Sequence, residues 1–217
     1  MDDRDDTSRT WFDPSLVHVQ ADEAVLEFLD EEALIRLSGA PSWSRLIATK
    51  TPRGIAITVQ NDVVMAMVRH IERRGDETII RNQVFQVNPD YRGRRFGARA
   101  LTVQARAAQA LGFDAIELDA TGNYVMATTG HPRDRHSGYY VWPRLGFDTN
   151  IPPSTLRRLP QKYKGCARIS DLMASQEGQD DWFIHGDTLN DARFDVAPGS
   201  KSWDLLLAYC QQRHIRI

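Results

Sequence analysis

The clearest pattern in the chain begins at Gly54, where Ile55, Ile57 and Val59 recur at every second position and predict a half-buried strand. Asn61-Asp62 then supplies a turn, and the nearly unbroken apolar run Val63 to Val68 predicts a more deeply buried partner strand. A second turn at Gly75-Asp76 leads into a long third strand, Thr78 to Val87. After a loop from Pro89 to Gly97 the period changes to that of a helix: Leu101, Ala105, Ala108 and Leu111 fall on one side, and Gly112 ends it. Ala115 to Ala120 is a further short strand. Because a helix joins it to the strand ending at Val87, the two are expected to be parallel neighbours through a right-handed crossover.

Upstream, Asp22 is placed to cap a helix whose Val25, Phe28 and Leu29 share a face, with Gly39 and Pro41 as its stop. Met1 to Arg9, with Asp2, Asp3, Asp5 and Asp6, is expected to fray. Beyond Thr121 prolines interrupt the pattern, and only Trp203 to Arg213 reads as helical again. The class is α+β: a mixed, mostly antiparallel sheet with helices on both faces and a C-terminal extension. The expected organisation is an acidic tail over 1–14, one domain over 15–179 and an extension over 180–217 packed on it.

Composition narrows the function. At 217 residues, with 41% hydrophobic and 26% charged positions, the chain is long enough for a full core and ordinary enough to exclude fibrous or disordered classes. A net charge of -2 gives no global basic field for nucleic acid or an anionic membrane, so any anion site is local. Cys166 and Cys210 have no metal or redox spacing and read as reduced thiols. His18, His70, His185 and His214 show no ligand spacing either, so no metal is expected. With no apolar run of about 20 residues, the expected location is the cytoplasm.

The chemistry concentrates between Val84 and Leu101. A strand enters a loop with glycines at 93 and 97 that opens directly into a helix, so backbone amides converge at the positive end of a helix dipole. Arg92, Arg94, Arg95 and Arg99 add cations, a set suited to a pyrophosphate. The plainer reading is a strand-to-helix loop with solvated arginines. Neither the nucleoside-triphosphate loop nor the dinucleotide fingerprint is present.

The run Val87-Asn88-Pro89-Asp90-Tyr91-Arg92-Gly93-Arg94-Arg95-Phe96-Gly97 resembles the acyl-CoA-binding motif of the GNAT superfamily of N-acyltransferases, Gln/Arg-x-x-Gly-x-Gly/Ala. Arg92 and Gly97 match its first and last positions, whereas Arg95 stands at the usual glycine. The segment Tyr139 to Phe147, ending in Leu145-Gly146-Phe147, resembles the family's second signature, with Trp142 at the usual tyrosine. The resemblance covers about residues 15 to 150.

The resemblance implies an acetyltransferase that uses acetyl-CoA as acyl donor and a primary amine as acceptor. It implies that the long strand and the strand at Ala115 splay into a wedge for the pantetheine arm. Phe85 and Val87 would then offer backbone groups to the arm, while the amides of Arg92, Gly93, Arg94, Arg95, Phe96, Gly97 and Ala98 hold the diphosphate. With Trp142 unable to act as an acid, Tyr139 or Tyr140 is the candidate proton donor to the leaving thiolate. Glu117 and Asp119 are candidate bases, Asn123 a candidate orienting residue, and the insertion Thr128 to Ser137, with His131 and His136, a candidate acceptor lid. Trp182, Phe183, Phe194 and Trp203 read as packing, since no basic stripe accompanies them. The rival reading is a GNAT-like module that binds CoA or a protein partner without catalysis.

Overall fold

The computed structural model describes residues 4–131 and 135–217. The fold is mixed α+β, with a seven-stranded, largely antiparallel sheet whose strand order follows the chain. Two compact units divide it: residues up to 116 together with 210–217, and residues 117–209.

In the first unit, helix α1 (Asp6–Trp11) precedes strand β1 (His18–Ala21), helices α2 (Glu23–Leu26) and α3 (Glu31–Ser38), and strands β2 (Arg45–Thr51), β3 (Gly54–Asn61), β4 (Val64–Arg74) and β5 (Glu77–Val87). β1 pairs with β2 in parallel, and β2 to β5 are successively antiparallel. The alternation at Ile55, Ile57 and Val59 is buried as its period requires. Helix α4 (Phe96–Ala110) follows, with Leu101, Ala105 and Ala108 facing the core. Strand β6 (Ala115–Ala120) then starts beside the start of β5: the Asp114 amide donates to the Thr78 carbonyl at 2.9 Å, and the Thr78 amide donates to Asp114 Oδ2 at 2.7 Å. Two strand starts side by side run parallel, as the helical crossover predicts.

Two expectations change here. The single N-terminal helix is two: Asp22 stands at the start of α2 as read, though its carboxylate accepts the Lys50 amide at 2.9 Å, and α3 is capped separately by Asp30, which accepts from the Ala33 amide. The acidic tail does not fray from Asp5 onward. Asp5 caps α1 through the Ser8 amide, and its own amide donates to the Arg216 carbonyl at 3.1 Å. Asp2 and Asp3 lie outside the described residues.

The β4–β5 hairpin carries two bulges. Pairing runs Val64 with Val87 but Ala66 with Gln86, which leaves Met65 extra on β4, and Val68 with Val84 but Arg69 with Asn82, which leaves Gln83 extra on β5.

The second unit holds α5 (Tyr124–Thr128), α6 (Gly138–Arg144), α7 (Pro153–Arg158), α8 (Ile169–Met173), α9 (Gln176–His185) and strand β7 (Leu189–Asp195); α10 (Lys201–Gln212) closes the chain. β7 runs antiparallel beside β6, with the Asp191 amide donating to Asp119 Oδ1 at 2.9 Å and Arg193 Nη1 to Glu117 Oε1 at 3.2 Å. Trp182, Phe194 and Trp203 are buried, with Phe147, Phe194 and Trp203 meeting edge to face, so the packing reading of these aromatics holds. Among the described residues no helix is long and apolar enough to cross a membrane. Cys166 and Cys210 are unpaired.

Candidate functional site

The loop after β5 is shaped locally. Asn88 Oδ1 accepts the Asp90 amide, Pro89 opens a single turn of 3-10 helix through Tyr91, and Gly93 takes φ +77°. Arg95 then stands at φ 63°, ψ 23°, in left-handed backbone that costs a side-chain-bearing residue about 1–3 kcal/mol. Its Nη1 donates to the Arg213 carbonyl at 2.7 Å, which anchors it there. Arg95 thus adopts backbone that glycine enters easily, and its side chain is turned to a neighbouring main chain. The departure from the glycine pattern is one of side chain, with backbone curvature kept.

The first helical bond of α4 is the Arg99 amide to the Arg95 carbonyl at 3.3 Å, so the amides of Phe96, Gly97 and Ala98 precede the helical ladder at the positive end of a 15-residue helix. A Cβ built on Gly97 would meet only the Phe85 ring, at an ordinary 3.5 Å. Phe96 points inward, stacked between Phe12 (5.6 Å) and Phe85 (5.9 Å), and pins the helix start to the sheet.

The four arginines do different things. Arg94 lies over the Tyr91 ring at 5.2 Å. Arg92 Nε donates to the Val87 carbonyl at 3.2 Å, so that carbonyl is engaged within the loop. Arg99, expected to be a cation for the ligand, is buried and paired with Asp5 at 2.6 Å, with Ser8 Oγ as a further partner. For Asp5, burial works to raise the pKa, but the Arg216 amide, the Arg99 guanidinium and Ser8 outweigh it and hold the carboxyl well below its ordinary range. An open cleft of about 530 Å³ is lined by Gly93, Arg94, Arg95 and Arg99 together with Asp6, Thr7, Thr10 and Trp11 of α1, so one carboxylate shares it with the arginines.

Sequence reasoning missed Arg69, on β4 amid apolar neighbours. It is 2% exposed and lacks a carboxylate partner among the described residues. Its Nη1 donates to the Val84 carbonyl at 3.0 Å, Nε reaches the Ser38 carbonyl at 3.4 Å, and the guanidinium lies 4.9 Å from the Phe85 ring centre. Burial pushes its pKa down to about 9, which leaves it charged at neutral pH. It ties the β5 bulge beside Gln83 to the end of α3.

In the second unit the candidates divide. Tyr139 is fully buried and its hydroxyl donates to the Phe183 carbonyl at 2.6 Å; burial, with Tyr140 and Tyr124 close by, drives its pKa well above the usual tyrosine range. Tyr140 is half-buried, 4.9 Å from the Phe183 ring, with Arg144 4.8 Å from its own ring centre. Asn123 Oδ1 caps α5 by accepting the Met126 amide at 3.0 Å, and Asp119 accepts the Asp191 amide. Glu117 is buried against Arg193. His131 and His136 are exposed, while Arg133 and Asp134 of the same insertion lie outside the described residues.

The second signature closes as a helix ending at Arg144. Gly146 follows at φ +98°, where a Cβ would stand 2.3 Å from the Ser202 carbonyl oxygen, so only glycine fits. Trp142 packs edge-on against Phe147 at 5.5 Å. No protein-family model matches the chain, and a search of curated proteins finds no significant match.

Proposed function

We propose that the protein is an acyl-CoA-dependent N-acyltransferase of the GNAT type that moves acetyl from acetyl-CoA to a primary amine. The observation that carries this reading is the loop at the start of α4: first-turn amides, Gly93 and Arg95 both in left-handed backbone, and cationic side chains on the rim. Such an arrangement stabilises a diphosphate. The acceptor nitrogen attacks the thioester carbonyl carbon, the tetrahedral oxyanion collapses, the carbon–sulfur bond breaks, and the amine's proton is lost as the CoA thiolate gains one. Tyr140 is the proton donor in this reading, because the Tyr139 hydroxyl already serves the Phe183 carbonyl.

A second reading, a CoA-binding module without turnover, is favoured by a separate observation: Tyr139, Asn123 and Asp119 all have polar atoms engaged in structural hydrogen bonds. Calorimetric titration with acetyl-CoA, followed by thiol release over a panel of primary amines, decides. Binding with amine-dependent thiol release supports the transferase; binding without release on any amine supports the module; no binding at millimolar acetyl-CoA overturns both.

A further inference from the structure

Trp43 combines two features that a fold rarely keeps together. Its indole is 67% exposed, and its φ is +61°, in the left-handed region that bulky side chains avoid. The chain around it is fixed from several directions. The Trp43 amide donates to the Leu16 carbonyl at 2.8 Å, and the Ser42 amide to the Trp11 carbonyl at 2.8 Å. The Ser42 carbonyl accepts from Asn61 Nδ2 at 3.0 Å, and Ser42 Oγ bridges the Thr10 carbonyl and the Asp13 amide. This strained backbone is over-determined, and the side chain it presents is an aromatic ring in water.

That ring borders a cleft of about 650 Å³ whose other aromatic walls are Trp11 and Tyr91, with Arg45 and Asp62 on its rim. The three rings do not stack on one another: Trp11 meets Phe96 edge-on, and Tyr91 carries Arg94. Tyr91 is the last residue before Arg92, and Trp11 also lines the cleft that holds Gly93, Arg94 and Arg95. The aromatic cleft therefore adjoins the cationic loop.

We propose that the Trp11–Trp43–Tyr91 cleft receives the purine base of a nucleotide whose phosphates lie on the Gly93–Gly97 loop, which for this protein is the adenine of acyl-CoA. The inference rests on the acyl-CoA reading. An aromatic cage with a lone carboxylate would favour an organic cation. Here Arg45 shares the rim with Asp62, and in the adjoining cleft Arg94 and Arg95 outnumber Asp6, so the two clefts offer no excess of negative charge to hold a free amine. A flat heteroaromatic ring joined to phosphates satisfies both halves, and the Asp62 carboxylate is an acceptor suited to an exocyclic amino group.

The test titrates the full chain and its Trp43→Gly and Trp43→Phe variants with acetyl-CoA, with 3′,5′-ADP and with acetyl-pantetheine, which lacks the nucleotide. Glycine removes the ring and suits φ +61°, so the variant keeps the fold, checked by its melting temperature. Trp43→Gly is expected to weaken acetyl-CoA and 3′,5′-ADP by roughly tenfold and to leave acetyl-pantetheine unchanged, while Trp43→Phe recovers most of the loss. If the parent binds acetyl-CoA and Trp43→Gly binds it equally well, the base lies elsewhere and the transferase reading stands alone. If the parent binds neither acetyl-CoA nor 3′,5′-ADP, both fall. Trp43-dependent binding of tetramethylammonium, with nucleotides indifferent to the ring, would make the cleft a cation cage and overturn the proposal.

Discussion

The indole Nε1–H of Trp182 donates to the main-chain carbonyl of Tyr139 at 2.8 Å. That carbonyl lies four residues before Pro143, whose missing N–H leaves it without the usual helical donor. A proline inside α6 is tolerated because a tryptophan from α9 takes over the orphaned acceptor, and the helix bearing Tyr139 and Tyr140 is tied to α9 at that point.

Trp182→Phe is therefore expected to cost about 2–4 kcal/mol, part from the lost indole volume and part from a buried carbonyl left unsatisfied. Urea unfolding measures it. A Trp182→Phe protein as stable as its parent would show that the carbonyl finds another donor.

The two tyrosines should separate by readout. Tyr139→Phe removes the hydroxyl that serves the Phe183 carbonyl and is expected to cost about 1–2 kcal/mol of stability, with little effect on turnover per folded molecule. Tyr140→Phe should leave stability unchanged and lower turnover roughly 10²-fold, with acetyl-CoA affinity retained. The opposite pattern would move the acid to Tyr139.

Gly97→Ala distinguishes ligand from fold. A methyl there meets only the Phe85 ring at 3.5 Å, and alanine is the better helix former, so the melting temperature should hold or rise. If the first-turn amides hold a diphosphate, the same methyl obstructs close approach, and acetyl-CoA affinity should fall tenfold or more by calorimetry. Unchanged affinity would remove α4's start from the binding site.

The Asp5–Arg99 pair predicts acid sensitivity. The folded pKa of Asp5 is depressed below its ordinary 3.8, so the pair's contribution is fully present above about pH 4 and is lost as pH falls below it. Asp5→Asn should cost about 3 kcal/mol at pH 7, since Arg99 is left buried without its anion. The deficit should shrink toward pH 2 as Asp5 of the unfolded parent takes up its proton, which favours the unfolded chain. Unfolding curves at pH 7 and pH 3 check both limbs, and a deficit independent of pH would assign the loss to packing.

Sequence pattern carried the middle of the chain well. The third strand was legible as Thr78 to Val87 and forms Glu77–Val87, and Ala115–Ala120 forms as read, because both hold several apolar residues between turn residues. β1, β2 and β7 escaped because polar residues interrupt their few apolar ones, and β7 is further broken by Asp191 at φ 50°. Within the site, the phosphate-type loop was visible from its glycines, but the fate of its cations was not. Arg99 is neutralised by a carboxylate 94 residues away in the chain, a pairing that no local window contains. Asp5 ahead of Ser8, with Trp11 and Phe12 following, was the available sign of an N-terminal helix with an apolar side to bury. Arg69 gave no sign at all, since a charged residue in an apolar run reads as a strand end.

The bulges at Met65 and Gln83 behave like two compensating frameshifts in the hairpin's inside–outside code. The extra residue on β4 advances the pairing by one, and the extra residue on β5 sets it back, so inward positions on β4 pass from Val64 to Met67, Arg69 and Ile71. Deleting Met65 or Gln83 alone would remove one bulge and leave the other pairs of this hairpin in register; deleting both would leave a plain hairpin. That doubly shortened strand pair would be regular from end to end. It would also have lost the local distortion that turns the Val84 carbonyl toward Arg69, which makes the paired deletions a way to separate what this hairpin needs in order to fold from what its irregularity adds.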